Sequence, residues 1–173
     1  MYEKILITGT PGTGKTMAAQ ALSGHLKTGV LHVTDYIKQR EELILDKEKD
    51  GTVIPDMVAL QRELNEKRGI IESHLLCEFK LRSSIVIVLR CHPFTLERRL
   101  KSRKYSAQKM KDNLESEALD YCTQNAMKHY KKVFEIDTTE RSADETAQAC
   151  LDIIRGRSEG DSVDFSDWLM KRK

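Results

Sequence analysis

Gly9-Thr10-Pro11-Gly12-Thr13-Gly14-Lys15-Thr16 decides how the rest of the chain is read. It fits the pattern of glycine, four residues, then Gly-Lys-Ser/Thr, without a departure. Upstream, Lys4-Ile5-Leu6-Ile7-Thr8 reads as a short buried strand ended by glycine. Downstream, Met17, Ala18, Ala21, Leu22 and Leu26 recur at helical spacing. Strand, glycine loop and helix are the context this pattern requires. The glycines permit backbone conformations that side chains disfavour, and so turn a row of amide N–H groups inward as a nest for anionic oxygens. A helix starting near Lys15 adds the positive end of its dipole. Gly12, Thr13, Gly14, Lys15, Thr16 and Met17 then form a phosphate-binding segment. In it the Lys15 ammonium reaches outer phosphates and the Thr16 hydroxyl ligates magnesium.

Working outward, 173 residues suit one domain with a real core. A net charge of +2 gives no global basic field of the kind that nucleic-acid binding would need. The apolar runs are too short to span a bilayer, so no membrane is expected, and the apolar N-terminus reads as a strand rather than a signal peptide. Cys77, Cys91, Cys122 and Cys150 are widely spaced with no metal-type pairing, which suits a reduced, cytoplasmic protein.

Residues 29–33 look like a second strand, after which Thr34 or Asp35 caps a helix running through Ile37 and Leu43. The charged stretch 46–51 reads as a solvated loop. Pro55 and Asp56 restart a helix with Met57, Leu60 and Leu64 on one face, ending at Lys67-Arg68-Gly69. Residues 70–74 are a third strand and its exit, and 75–81 a short helix or turn. The run 84–90 is β-branched from Ile85 to Val88, as expected of a parallel strand buried on both faces. Pro93 opens a helix that turns Leu96 and Leu100 inward. After a break at Tyr105-Ser106, the spacing of Met110, Leu114, Ala118, Cys122, Ala126 and Tyr130 predicts one long amphipathic helix. Residues 133–137 form a fifth strand, and Ser142 with Glu145 a capping box for a helix through Ile153. Residues 156–160 read as polar and mobile. In the 157–173 tail, Val163, Phe165, Trp168 and Leu169 are apolar enough to dock on the body or on a partner.

Strands that alternate with helices predict an α/β, three-layer P-loop fold over 1–156, with a five-stranded parallel sheet and helices on both faces. Ligands bind beyond the carboxyl ends of such strands, where 9–16, Asp35, 72–74, Arg90 and 137–139 converge.

A phosphate loop alone does not separate kinases from ATPases or GTPases. No guanine-reading Asn-Lys-x-Asp motif is present. Arg90, Arg98, Arg99 and Arg103 cluster after the 84–90 strand, and guanidinium groups stabilise the charge of a transferring phosphoryl group. That favours small-molecule kinase chemistry, the alternative being a solvated helix face. Glu72 is placed to hold magnesium directly or through water, or to be a salt-bridged strand end. His74 either positions water or a hydroxyl or is structural.

The segments 8–16, Ile71-Glu72-Ser73-His74, Val88-Leu89-Arg90-Cys91 and Arg99-Leu100 through Arg103-Lys104-Tyr105-Ser106 resemble the adenylate kinase isoenzyme 6 family. These are atypical adenylate kinases and ribosome-assembly ATPases of archaea and eukaryotes. Asp112 to Glu117 is similar to the family's Asn-x-x-x-Glu stretch, and the resemblance runs to about Arg155. It implies a monophosphate-binding arm at about 35–66 and a lid at about 101–111. Mg-ATP would lie on 12–16, with adenine near Arg99 and Thr138. Lys15, Glu72, His74 and Arg103 would be catalytic, with magnesium on Thr16 and Glu72. AMP or another nucleoside monophosphate would be the acceptor, with slow ATPase activity in a monomer. A small-subunit ribosomal protein is an implied partner, and rRNA a further one if the chain is an assembly factor. The alternatives are an ATP-switched assembly factor or a kinase of another small metabolite, such as shikimate or gluconate. Three positions depart from the family. Glu72 stands where aspartate is frequent, Lys104 where a lid glycine is usual, and Lys38 where an arginine follows the arm's aspartate by three. Lysine lacks arginine's bidentate fork, and Arg40 lies two residues further on.

Overall fold

The computed structural model describes residues 3–48, 51–82, 84–103 and 105–170. The elements in chain order are β1 (Lys4–Thr8), α1 (Lys15–Leu26), β2 (Val30–His32), α2 (Val33–Lys38), β3 (Ile44–Lys47), β4 (Val53–Pro55), α3 (Met57–Asn65) and β5 (Gly69–Glu72). There follow β6 (Ser84–Arg90), α4 (Pro93–Leu100), α5 (Ala107–Ala118), α6 (Tyr121–His129), β7 (Val133–Asp137), α7 (Ala143–Ile154) and α8 (Ser166–Met170).

Five strands form one parallel sheet in the order β2-β5-β1-β6-β7. Side chains alternate along β1, so Ile5 and Ile7 face one layer and Leu6 the other. The first layer packs Ile85 and Ile87 against Ala18, Leu22, Ala147 and Leu151 of α1 and α7. The second packs Leu6, Val86 and Val88 against Leu60, Leu64 and Ala126 of α3 and α6. Each fully buried Leu or Ile contributes about 1.5–3 kcal/mol, so the two layers hold the sheet on which the loops are mounted.

Three expectations need correction. His32, not Thr34 or Asp35, occupies the N-cap of α2, and the helix ends at Lys38. A 3-10 turn (Glu41–Leu43) then buries Leu43 and leads into an antiparallel β3–β4 hairpin. The expected solvated loop thus supplies Asp46 and Lys47 to a strand; Lys49 and Asp50 lie outside the described residues. The charges hid the strand, because only Ile44 and Val53 pack on the core while Leu45 and Ile54 stay exposed. Finally, the long helix is two. Asp120 sits in the left-handed region at φ 55 and separates α5 from α6. The apolar residues of α5 (Leu114, Ala118) pack with α4 and Trp168, whereas those of α6 (Cys122, Ala126, Tyr130) pack on the sheet; apolar spacing does not register a change of backbone hand or of packing partner.

The tail docks on the body. Gly160 (φ 83) lies so close to β7 that a Cβ there would meet Glu135 O at 2.5 Å. Asp161 N donates to Glu135 O at 2.8 Å, and Asp137 N donates to Asp161 Oδ2 at 2.8 Å. The stretch 156–160 is therefore polar but tied down where it meets β7, at Gly160 and Asp161. Trp168 is buried with Leu96, Leu100 and Leu114. No helix among the described residues is long and apolar enough to cross a membrane.

Candidate active site

The loop after β1 uses its glycines in two ways. Gly9 (φ 136) and Gly12 (φ 96) also lie where a side chain has no room. A Cβ at Gly9 would stand 2.3 Å from Leu89 O, and one at Gly12 2.8 Å from both Leu96 and Leu100. Gly14 has open space around it but caps α1 at φ 95, a conformation that L side chains rarely adopt. The first-turn N–H groups of α1 start directly after it.

Lys15 Nζ donates to Gly9 O at 2.8 Å and Thr10 O at 2.9 Å, so its ammonium lies across the loop. Burial lowers its pKa; Cys122 and Glu72 oppose that shift, and Arg103 adds to it. Thr13 is buried, its hydroxyl donating to Thr10 O at 3.0 Å. The Thr138 hydroxyl lies 2.9 Å from Thr13 O and 2.8 Å from Arg90 O, joining the loop to the end of β7. Arg99 in turn donates to Thr138 Oγ1 at 3.2 Å and Thr138 O at 2.7 Å.

A cavity of about 1360 Å³ opens from this loop. Gly12, Gly14, Lys15, Thr16, Met17, Glu72, His74 and Arg103 line it, whereas Thr13, Arg99 and Thr138 do not. Asp35, Lys38, Tyr105, Lys109 and Asn113 form the facing side. Lys109 Nζ donates to Thr52 Oγ1 at 2.8 Å, so α5 reaches the segment between β3 and β4. Lys104, the departure in the expected lid turn, lies outside the described residues.

Glu72 ends β5 and is 8% exposed. Its Oε1 accepts from Thr16 Oγ1 at 3.3 Å and lies 2.8 Å from His32 Nδ1. His74 starts the turn that follows (His74–Cys77). Its surface is open to the cleft, but the cleft walls enclose it. That enclosure, with the charges of Lys15 and Lys109, pushes it down to about 4 and keeps the ring neutral.

The arginine cluster divides. Arg90, expected to stabilise phosphate charge, is 1% exposed and committed elsewhere. Its Nε donates to Glu117 Oε1 at 2.9 Å, and its other nitrogens bind Asp120 and Glu135. Phe165 covers it, with 5.4 Å from guanidinium to ring centroid. Burial works against the charge, but Glu117, Glu135 and Asp120 outweigh it and raise the pKa. Arg90 is a structural hub at the α5–α6 junction. Arg98 is exposed and donates to Thr95 at 3.2 Å. Of the four arginines only Arg103 lines the cavity. On the arm side, Arg40 donates to Glu63 Oε2 at 2.8 Å and stacks on Tyr36, whereas Lys38 lines the cavity.

Sequence reasoning missed His32. It ends a short strand, but only the sheet order β2-β5-β1 brings it beside Glu72, and no local motif announces that neighbour.

A parallel sheet in this order, with the glycine loop between β1 and α1, defines a P-loop kinase fold. A shikimate kinase from Acinetobacter baumannii solved with shikimate superposes with a TM-score of 0.64 at 19% identity, covering 91% of this chain and 96% of that one. The YorR protein from Bacillus subtilis, solved with phosphorylated GDP, gives 0.63 at 17%, covering 88% and 95%. At those identities the likeness is one of fold. A family model described as "AAA domain" matches residues 5–120. Proteins named "Putative adenylate kinase" are 40% identical to this chain in two archaea. In Archaeoglobus fulgidus the match covers 90% of this chain and 84% of the relative. In Methanothermobacter thermautotrophicus it covers 96% and 99%. The chain belongs to this adenylate-kinase-like P-loop family.

Proposed function

We propose that the chain is an ATP-dependent nucleoside monophosphate kinase that prefers AMP, converting ATP and AMP to two ADP, with slow ATPase activity. The cavity carries the reading. Its volume of about 1360 Å³ exceeds the roughly 300–1,000 Å³ typical of a single small-molecule site. One side is the phosphate loop, and the other is built by α2 and α5 with its own cations, Lys38 and Lys109. Two nucleotides with their phosphates facing suit that arrangement.

In the transfer, an acceptor phosphate oxygen forms a bond to the γ-phosphorus of ATP, the bridging bond to the β-phosphate breaks, and ADP leaves. The acceptor brings its own nucleophile, so the chain's work is placement and charge. Lys15 and Arg103, both lining the cavity, would supply positive charge to the transferring group. Thr16 and Glu72 are hard oxygen donors 3.3 Å apart and would hold Mg2+. Bound there, the ion would supply charge neutralisation for the phosphate oxygens. His74, neutral and open to the cleft, orients water in the slower hydrolysis.

The test is a panel of acceptors with Mg-ATP: AMP, other nucleoside monophosphates, shikimate and gluconate. AMP is expected to give the highest kcat/KM. A small metabolite ahead of every nucleotide would overturn the reading. So would ATP hydrolysis stimulated by a ribosomal protein or rRNA with transfer to no acceptor.

A further inference from the structure

β2 and β5 end level, because their parallel register pairs His32 with Glu72. Residues paired across neighbouring strands put their side chains on the same face. Here the result is a contact of 2.8 Å between His32 Nδ1 and Glu72 Oε1. The same oxygen accepts from Thr16. A carboxylate oxygen only accepts, so the imidazole donates from Nδ1. Glu72 is thus gripped from two sides, by the neighbouring strand and by the first turn of α1.

We propose that His32 is a positioning residue that holds the Glu72 carboxylate facing Thr16, so that the pair captures a divalent cation without first ordering a side chain. This rests on the reading of Thr16 and Glu72 as the magnesium pair. Hydrogen-bond partners behind a ligating carboxylate fix its orientation, and losing one weakens metal binding. A long carboxylate needs such support more than a short one, since glutamate has one more rotatable bond than aspartate. Thr16 alone does not supply it, because its hydroxyl would itself turn to the ion.

The experiment compares His32→Ala, His32→Asn and His32→Gln in the full chain. Asparagine puts its amide nitrogen as many bonds from Cβ as histidine puts Nδ1; glutamine moves it one bond further. Mn2+ is the probe, its affinity for the protein–ADP complex read by electron paramagnetic resonance. The Mg2+ dependence of phosphoryl transfer is measured beside it. For His32→Ala, the Mn2+ Kd and the half-saturating Mg2+ concentration are expected to rise about tenfold, with kcat at saturating Mg2+ within about twofold of the parent. His32→Asn should restore metal affinity and His32→Gln should not. A lower melting temperature in His32→Ala with unchanged Mn2+ affinity would show a merely structural contact and overturn the proposal. So would equal metal affinity in the Asn and Gln variants, a comparison that stands even if the alanine variant does not fold. Glu72→Gln separates the two levels. If it leaves Mn2+ affinity unchanged, the magnesium reading falls and takes His32 with it. If it weakens Mn2+ binding while His32→Ala does not, only His32 is dismissed.

Discussion

The phosphate loop and the facing side of the cleft are held very differently. Around the loop, Gly12 lies against Leu96 and Leu100, Thr13 is tied through Thr138, and Lys15 spans two loop carbonyls. Across the cleft, the hairpin turns Leu45 and Ile54 to solvent, and the Lys38 side chain is 61% exposed beside Asp35. Exposed hydrogen bonds and few buried apolar contacts mark the parts of a fold that open at least cost. On the proposed reading, the donor phosphates would meet a preformed nest, while the acceptor would meet a side able to adjust. Substitutions on the loop side should act on kcat or on global stability. Those on the facing side should act on the acceptor's KM.

Arg90→Ala should show the largest effect, and on stability. It leaves Glu117 buried without its partner and unties the α5–α6 junction, at a cost of about 3–5 kcal/mol. Urea unfolding measures it. A variant as stable as the parent but without turnover would return Arg90 to the phosphates.

Lys15→Ala comes next. Losing the ammonium at the transferring phosphate should lower kcat about 10²–10³-fold. ATP affinity should fall less, because the backbone nest remains. Steady-state rates with nucleotide binding by calorimetry separate the two, and an unchanged kcat would remove Lys15 from the chemistry.

Lys38 and Arg40 then divide the facing side. Lys38→Ala should raise the acceptor KM about tenfold with little change in kcat. Arg40→Ala should leave that KM within about twofold, since Arg40 is paired with Glu63 and neither lines the cavity. The reverse pattern would mean that Arg40 swings into the cleft.

His74→Ala should give the smallest change. Hydrolysis needs a water held in line and transfer does not, so the hydrolysis rate should fall about fivefold relative to transfer. Equal loss of both rates would make His74 a shared positioning or structural group.

What was legible in the sequence was local. The glycine pattern, the β-branched run 85–88 and the Ser142–Glu145 capping box each carry their geometry within a few residues, and each stands in the structure. What was hidden depended on distant partners. Arg90 at a strand's carboxyl end has the look of a phosphate ligand; its burial comes from Glu117, Asp120, Glu135 and Phe165, on other elements. Arg40 resembles the arm's missing arginine until Glu63 is seen to take it. His32 gains its meaning only from the strand beside it.

The most direct measurement follows the phosphoryl group itself. ATP labelled at its γ-phosphate is mixed with unlabelled AMP, Mg2+ and the full chain, and the products are separated during the first turnovers. Transfer between two facing nucleotides puts the label in the β-phosphate of newly formed ADP, in step with AMP consumed. Label found only in inorganic phosphate, with AMP untouched, would contradict a monophosphate kinase and leave an ATPase in its place.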